Sequence, residues 1–83
     1  MAASAGAAIR LTASAERYAK AGGLETAFAT ARLGEGAAVG DVVTLEAGGR
    51  RHDLVVAQRR WLLRNDGAAV LELTLDHPAR RGT

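Results

Sequence analysis

Residues 39–76 read VGDVVTLEAGGRRHDLVVAQRRWLLRNDGAAVLELTLD, three apolar runs separated by Gly48-Gly49 and by Asn65-Asp66-Gly67. Glycine, asparagine and aspartate reach the positive φ angles that tight hairpins need, so the stretch predicts a three-stranded β-meander. Its first strand covers 42–47, its middle strand 51–64, and its last strand closes at Asp76. The only tryptophan of the chain, Trp61, lies on the middle strand.

The last strand carries the plainest pattern. Leu71, Leu73 and Leu75 alternate with Glu72, Thr74 and Asp76, so one face is core and the other meets water. Pro78 has no amide hydrogen to give a ladder and ends the strand. The middle strand is apolar on both parities: Val55, Ala57, Trp61 and Leu63 on one face with Arg59 among them, Leu54, Val56 and Leu62 on the other with Gln58 and Arg60. At ~3.3 Å per residue, a flat strand of this length would run past ~40 Å, longer than so small a domain is wide. A β-bulge near Gln58 to Arg60 resolves both difficulties, because one extra residue reverses the facing and sharpens the twist. Trp61 is then expected as a core anchor, with arginine stems covering the apolar surface around it.

Upstream of the meander the pattern is less regular. Ile9-Arg10-Leu11-Thr12-Ala13 alternates and predicts a half-buried strand. Ser14 is placed to cap a short helix, Ala15 to Ala21, stopped by Gly22. Alternatively Ala21-Gly22-Gly23 turns a hairpin and the first strand continues through Tyr18; alanine, glutamate, arginine and lysine propensities favour the helix. Thr26, Phe28 and Thr30 suit a pleated surface, so a strand is expected over 25–33, ended by Gly34-Glu35-Gly36.

Five strands and one short helix near 15–21 predict a mainly-β (β or α+β) domain, either a small, strongly bent antiparallel sheet or a partly open barrel. By size and strand count the comparison is with SH3-like and OB-like barrels. The domain is expected over 9–78, with flexible tails at 1–8 and 79–83.

With 83 residues the chain has room for one core, near the lower limit for a fold without disulfides or metal. Hydrophobic residues make up 48%, but 19 of them are alanine, so the driving force is smaller than the fraction suggests. A second subunit would widen the margin by covering apolar surface, which makes self-association plausible on size alone. There is no cysteine, which excludes disulfides, a thiolate nucleophile and thiolate metal sites. Met1 to Ala8 has neither leading basic residues nor a leucine-rich core, so no secretory signal is read. The apolar runs are far short of a membrane span, no membrane association is expected, and the expected location is the cytoplasm.

The net charge is +2, and its sign changes along the chain. Residues 1–49 hold four basic and five acidic side chains, and residues 50–83 hold seven and four, giving −1 and +3. Arg50, Arg51, Arg59, Arg60, Trp61 and Arg64 are therefore the candidate binding residues, since guanidinium and indole suit stacking on bases and contact with phosphates. Simple alternation, however, puts Arg59 and Trp61 on one face and Arg60 on the other.

The mirrored dipeptides His52-Asp53 and Asp76-His77 use metal-site vocabulary. A hairpin centred on Asp66 places His77 opposite Val55, or opposite Leu54 with one bulge, and diagonal neighbours stand ~7–8 Å apart. Two separate strand-end residues are expected, not a metal site. Ser4 and Ser14 lack an elbow context, and Gly34-Glu35-Gly36 and Gly48-Gly49 lack the strand-to-helix setting of a phosphate loop. No catalytic residue and no cofactor are expected. The favoured expectation is a non-enzymatic binding or assembly module acting on a protein partner or on its own copy; the alternative is single-stranded nucleic acid bound through the arginine-rich strand.

Overall fold

Alternation along residues 69–76 sets the middle of the sheet. In the computed structural model, which describes residues 7–78, Leu71, Leu73 and Leu75 are buried while Glu72, Thr74 and Asp76 line the opposite face. The elements run β1 (Ala8–Leu11), α1 (Ala13–Gly22), α2 (Glu25–Thr30), β2 (Val42–Ala47), β3 (Arg50–Leu63) and β4 (Ala69–Asp76). They form one four-stranded sheet in the order β1-β4-β3-β2. The domain is small and mainly β.

The meander follows the two turns named above. Gly48 and Gly49 both have positive φ, 61° and 76°, as a two-residue hairpin between β2 and β3 requires. The β3–β4 loop closes with Arg64 N–H donating to the Ala68 carbonyl at 2.8 Å and Gly67 N–H to the Arg64 carbonyl at 2.9 Å. The 14-residue β3 does contain a bulge: Val56 pairs with Leu75 but Gln58 with Thr74, leaving Ala57 as the extra residue, one position before the expected range. This bend lets β3 fit within a molecule whose longest extent is 39 Å.

Three expectations are corrected. The sheet is mixed and open, not antiparallel and not barrel-like, because β1 runs parallel to β4 along Ala8↔Glu72 to Leu11↔Leu75. A parallel neighbour needs a crossover, and the helices supply it. Residues 25–30 are helical, not a strand; only Leu33 keeps β character, in a bridge with Ala7. Phe28 there serves as a helix anchor, 4% exposed, so its strand propensity was overridden by burial against the sheet. The helix-or-hairpin question at 14–23 resolves as a helix that starts two residues earlier and ends one residue later than expected. Thr12, not Ser14, caps it, accepting from Ala15 N–H at 3.2 Å, and Gly23 ends it at φ 69°. Thr12 Oγ1 also donates to Asp76 Oδ1 at 2.6 Å, which ties the helix start to the end of β4.

Both helices lie on one face of the sheet. Ala15 and Ala19 of α1 let it approach closely, and with Leu24 and Phe28 they cover Leu54, Val56, Leu71, Leu73 and Leu75. Residues 7 and 8, expected to belong to the N-terminal tail of 1–8, are part of the fold, since Ala7 is fully buried and Ala8 opens β1; the rest of the two expected tails, 1–6 and 79–83, lies outside the described residues. No helix among the described residues is long and apolar enough to cross a membrane.

The opposite face is held by charge. Glu72, in the middle of the sheet, accepts from Arg60 Nη2 at 2.8 Å and lies 3.7 Å from Arg10 Nη1, so it links β3 and β1 across β4. The Arg60 hydrogen bond, helped by Arg10, holds its carboxyl below the usual glutamate range. Because the folded value is the lower one, this contribution is full above the ordinary glutamate range and is lost as pH falls through the folded value. Glu72→Gln should therefore show a flatter decline in melting temperature between neutral and acid pH than the wild type; parallel declines would remove Glu72 from the acid response.

Candidate functional site

The candidate residues divide between two faces and two ends of β3. Residues paired across a ladder share a face. Arg59 pairs with Leu73 and Trp61 with Leu71, so both project on the helix-covered side, while Arg60 pairs with Glu72 on the other. Arg50 and Arg51 sit at the far end of the same strand, roughly 30 Å from Arg59 at ~3.3 Å per residue. Arg51 donates to Glu46 at 3.0 Å, Arg60 is taken up by Glu72, and Arg59 donates to the Glu35 carbonyl at 2.9 Å. Arg64 starts the β3–β4 turn. These side chains are not gathered into one basic platform.

Trp61 is not a core anchor: it is 48% exposed, and Leu63 beyond it is 79% exposed. The bulge does turn both toward the helix-covered side, as sequence alternation alone would not. Yet the β3 part of the core stops at Val56, and Trp61 and Leu63 stand on the arm beyond it. Arg59 lies over the indole, its guanidinium carbon 5.9 Å from the ring centroid. Val39, in the loop entering β2, is exposed as well.

The backbone of this arm is as informative as its side chains. β2 pairs with β3 only along Arg50–Val55, and Gly40 and Asp41 extend the contact to Val56 through bonds of 2.9 Å. Beyond the bulge, β3 has β4 on one side and, among the described residues, no backbone bond on the other. Antiparallel strands alternate between residues bonded to one neighbour and residues turned to the other. Arg64 bonds toward β4, so Leu62, Arg60 and Gln58 do too, and the N–H and C=O groups of Leu63, Trp61 and Arg59 face the open side. Unpaired strand edges of this kind are templates for another strand.

A second grouping lies at the other end of the core. Tyr18 of α1 shares a hydrogen bond of 2.7 Å with His52 Nδ1 and stacks on His77 with ring centroids 3.7 Å apart. His52 and His77 were expected to be unrelated strand ends; of the two registers expected for them, the bulged one is observed, since Val55↔Asp76 sets His77 in line with Leu54 and not with Val55. They are joined by a side chain from the helix, which strand geometry could not supply. Asp53 and Asp76 turn to the opposite face, where Thr44 donates to Asp53 at 2.7 Å and Thr12 to Asp76. No group of three or more His, Asp or Glu side chains gathers among the described residues in a way that could hold a metal. A shallow cleft of about 350 Å³ between β1 and the helices has Ile9, Leu11 and Phe28 on its floor and Arg10, Glu16 and Glu25 on its rim, a mixed-charge lining that selects neither anion nor cation.

No protein-family model matches the chain, and neither a curated protein nor a solved structure does.

Proposed function

We propose that this chain is a non-enzymatic, cytoplasmic protein-interaction module that takes an extended segment of a protein partner onto the free edge of β3. The observation that carries the reading is the backbone of Arg59, Trp61 and Leu63, unpaired among the described residues, with exposed indole and leucine side chains beside it. Main-chain bonds along such an edge supply affinity, and alternate side chains supply selectivity. Trp and Arg are also the side chains most enriched where protein interfaces concentrate their energy. The separation of the arginines, and the carboxylates already paired with Arg51 and Arg60, favour a protein partner over a nucleic acid.

Arg59→Pro tests this directly. Proline keeps the β4 ladder, because the amide it removes points to the open edge. Tagged wild type incubated with nuclease-treated extract of the source cells should retain a protein that the Arg59→Pro variant loses. Equal retention by both, or capture that disappears with nuclease, would overturn the reading. Titration with single-stranded oligonucleotides provides the contrary arm: amide shifts at Arg59 to Arg64 that fade as salt rises would favour nucleic acid instead.

A further inference from the structure

We propose that the partner strand is supplied by a second copy of this chain, with the two β3 strands adding antiparallel about a two-fold axis at Trp61. The inference rests on the edge-docking reading above and names its occupant. The open lane begins where Asp41 leaves Val56 and continues past Leu63, so it accepts one further strand running in the direction of β2.

Charge selects the register. Only residues whose backbone faces the edge can exchange hydrogen bonds, so Arg59, Trp61 and Leu63 must meet Arg59, Trp61 and Leu63 of the copy. An axis at Arg59 sets guanidinium against guanidinium. An axis at Arg60 does the same for Arg60, and one at Leu62 puts Arg60 opposite Arg64. Like charges directly opposite one another are unfavourable. An axis at Leu63 sends Trp61 opposite Asn65, where the chain has already entered the turn. The axis at Trp61 is free of these faults. It pairs Trp61 with its own copy, Arg59 with Leu63, Arg60 with Leu62 and Gln58 with Arg64, so no cation faces a cation.

The arrangement is self-complementary in the manner of two-fold dimers, where one patch serves both partners. It buries both indoles at the centre, the place where hot-spot aromatics concentrate. The two sheets become one of eight strands, and each β3 arm loses its open edge.

Light scattering from micromolar to hundreds of micromolar protein should show a monomer passing to a dimer. Trp61→Lys, at a half-exposed position outside the core, should leave the fold intact by circular dichroism and weaken the dimer about tenfold or more, because it removes the central ring and opposes two cations on the axis. The chain lacks cysteine, so Arg59→Cys with Leu63→Cys should form an interchain disulfide under mild oxidation. Gln58→Cys alone should not, since in this register its own copy stands roughly 20 Å away along the strand. A wild type that stays monomeric at the highest concentration overturns the second-copy proposal. A dimer indifferent to Trp61→Lys, or one cross-linked through Gln58→Cys alone, overturns it too. A monomer whose protein capture is still lost with Arg59→Pro leaves the edge-docking function standing without self-association; a monomer whose capture ignores Arg59→Pro removes both.

Discussion

Replacing Leu73 by alanine lowers the stability of the domain by about 2–5 kcal/mol, the range for emptying a fully buried leucine site. Leu73 has 0% exposure, and its strand is the one flanked by both β1 and β3. Across those ladders it faces Ile9 on one side and Arg59 on the other, and the helices close the core above it. The neighbours come from separate elements held by their own ladders, so they cannot collapse together into the space. Chemical denaturation of wild type and variant measures the difference. Since small domains commonly hold ~5–15 kcal/mol in total, a substantial unfolded fraction is expected near the upper end of the effect. A loss under about 1 kcal/mol would mean that the site refills by helix movement, and the core described above would be looser than its burial implies.

The second large effect is expected at Tyr18, and two substitutions separate its parts. Tyr18→Phe keeps the ring on His77 but removes the partner of His52 Nδ1, a residue only 9% exposed. Leaving a buried polar atom unsatisfied costs about 1–3 kcal/mol. Tyr18→Ala removes the ring as well and approaches the ~3–5 kcal/mol of a buried aromatic deletion, toward its lower end because Tyr18 is half-buried. The ordering wild type, phenylalanine, alanine in denaturant midpoint checks both. Equal midpoints for wild type and Tyr18→Phe would show that water replaces the hydroxyl without loss.

The meander was legible because its information is local. Gly48-Gly49 and Asn65-Asp66-Gly67 state their turns in the chain itself, and alternation from Leu71 to Leu75 states which face is buried. The bulge was legible from conflict: residues 51–64 have too many apolar positions on both parities for one flat strand. What escaped depends on partners distant in sequence. Phe28 and the threonines near it favour a strand by propensity, but a parallel β1–β4 pair requires helical cover, and helix α2 results. Thr12 caps α1 because Asp76, far along the chain, orients its hydroxyl. Trp61 was misplaced for the same reason. Its pattern reads as core, and only the reach of α1 and α2 leaves it in solvent. The binding candidates Arg59, Arg60, Trp61 and Arg64 do fall on the open arm, Arg60 on the sheet face opposite Arg59 and Trp61, whereas Arg50 and Arg51 lie at the far end of β3. Leu63 and the edge-facing backbone were missed, because an unpaired lane is a property of where β2 begins, not of β3.

The parallel pairing of β1 with β4 also imposes an order of events during synthesis. Ala8 to Leu11 leave the ribosome first and find their ladder partners only when Glu72 to Leu75 emerge. Until then the helices have no sheet face made by β4 to settle on, whereas β2 and β3 can already close their hairpin across Gly48-Gly49. Loop closure over so long a stretch makes the last step slow compared with the hairpin. During that interval the nascent chain carries β1, α1 and α2 unsheltered. A stalled or truncated product that ends before Glu72 is thus expected to be not a smaller version of this domain but a hairpin whose leader lacks every ladder partner of β1.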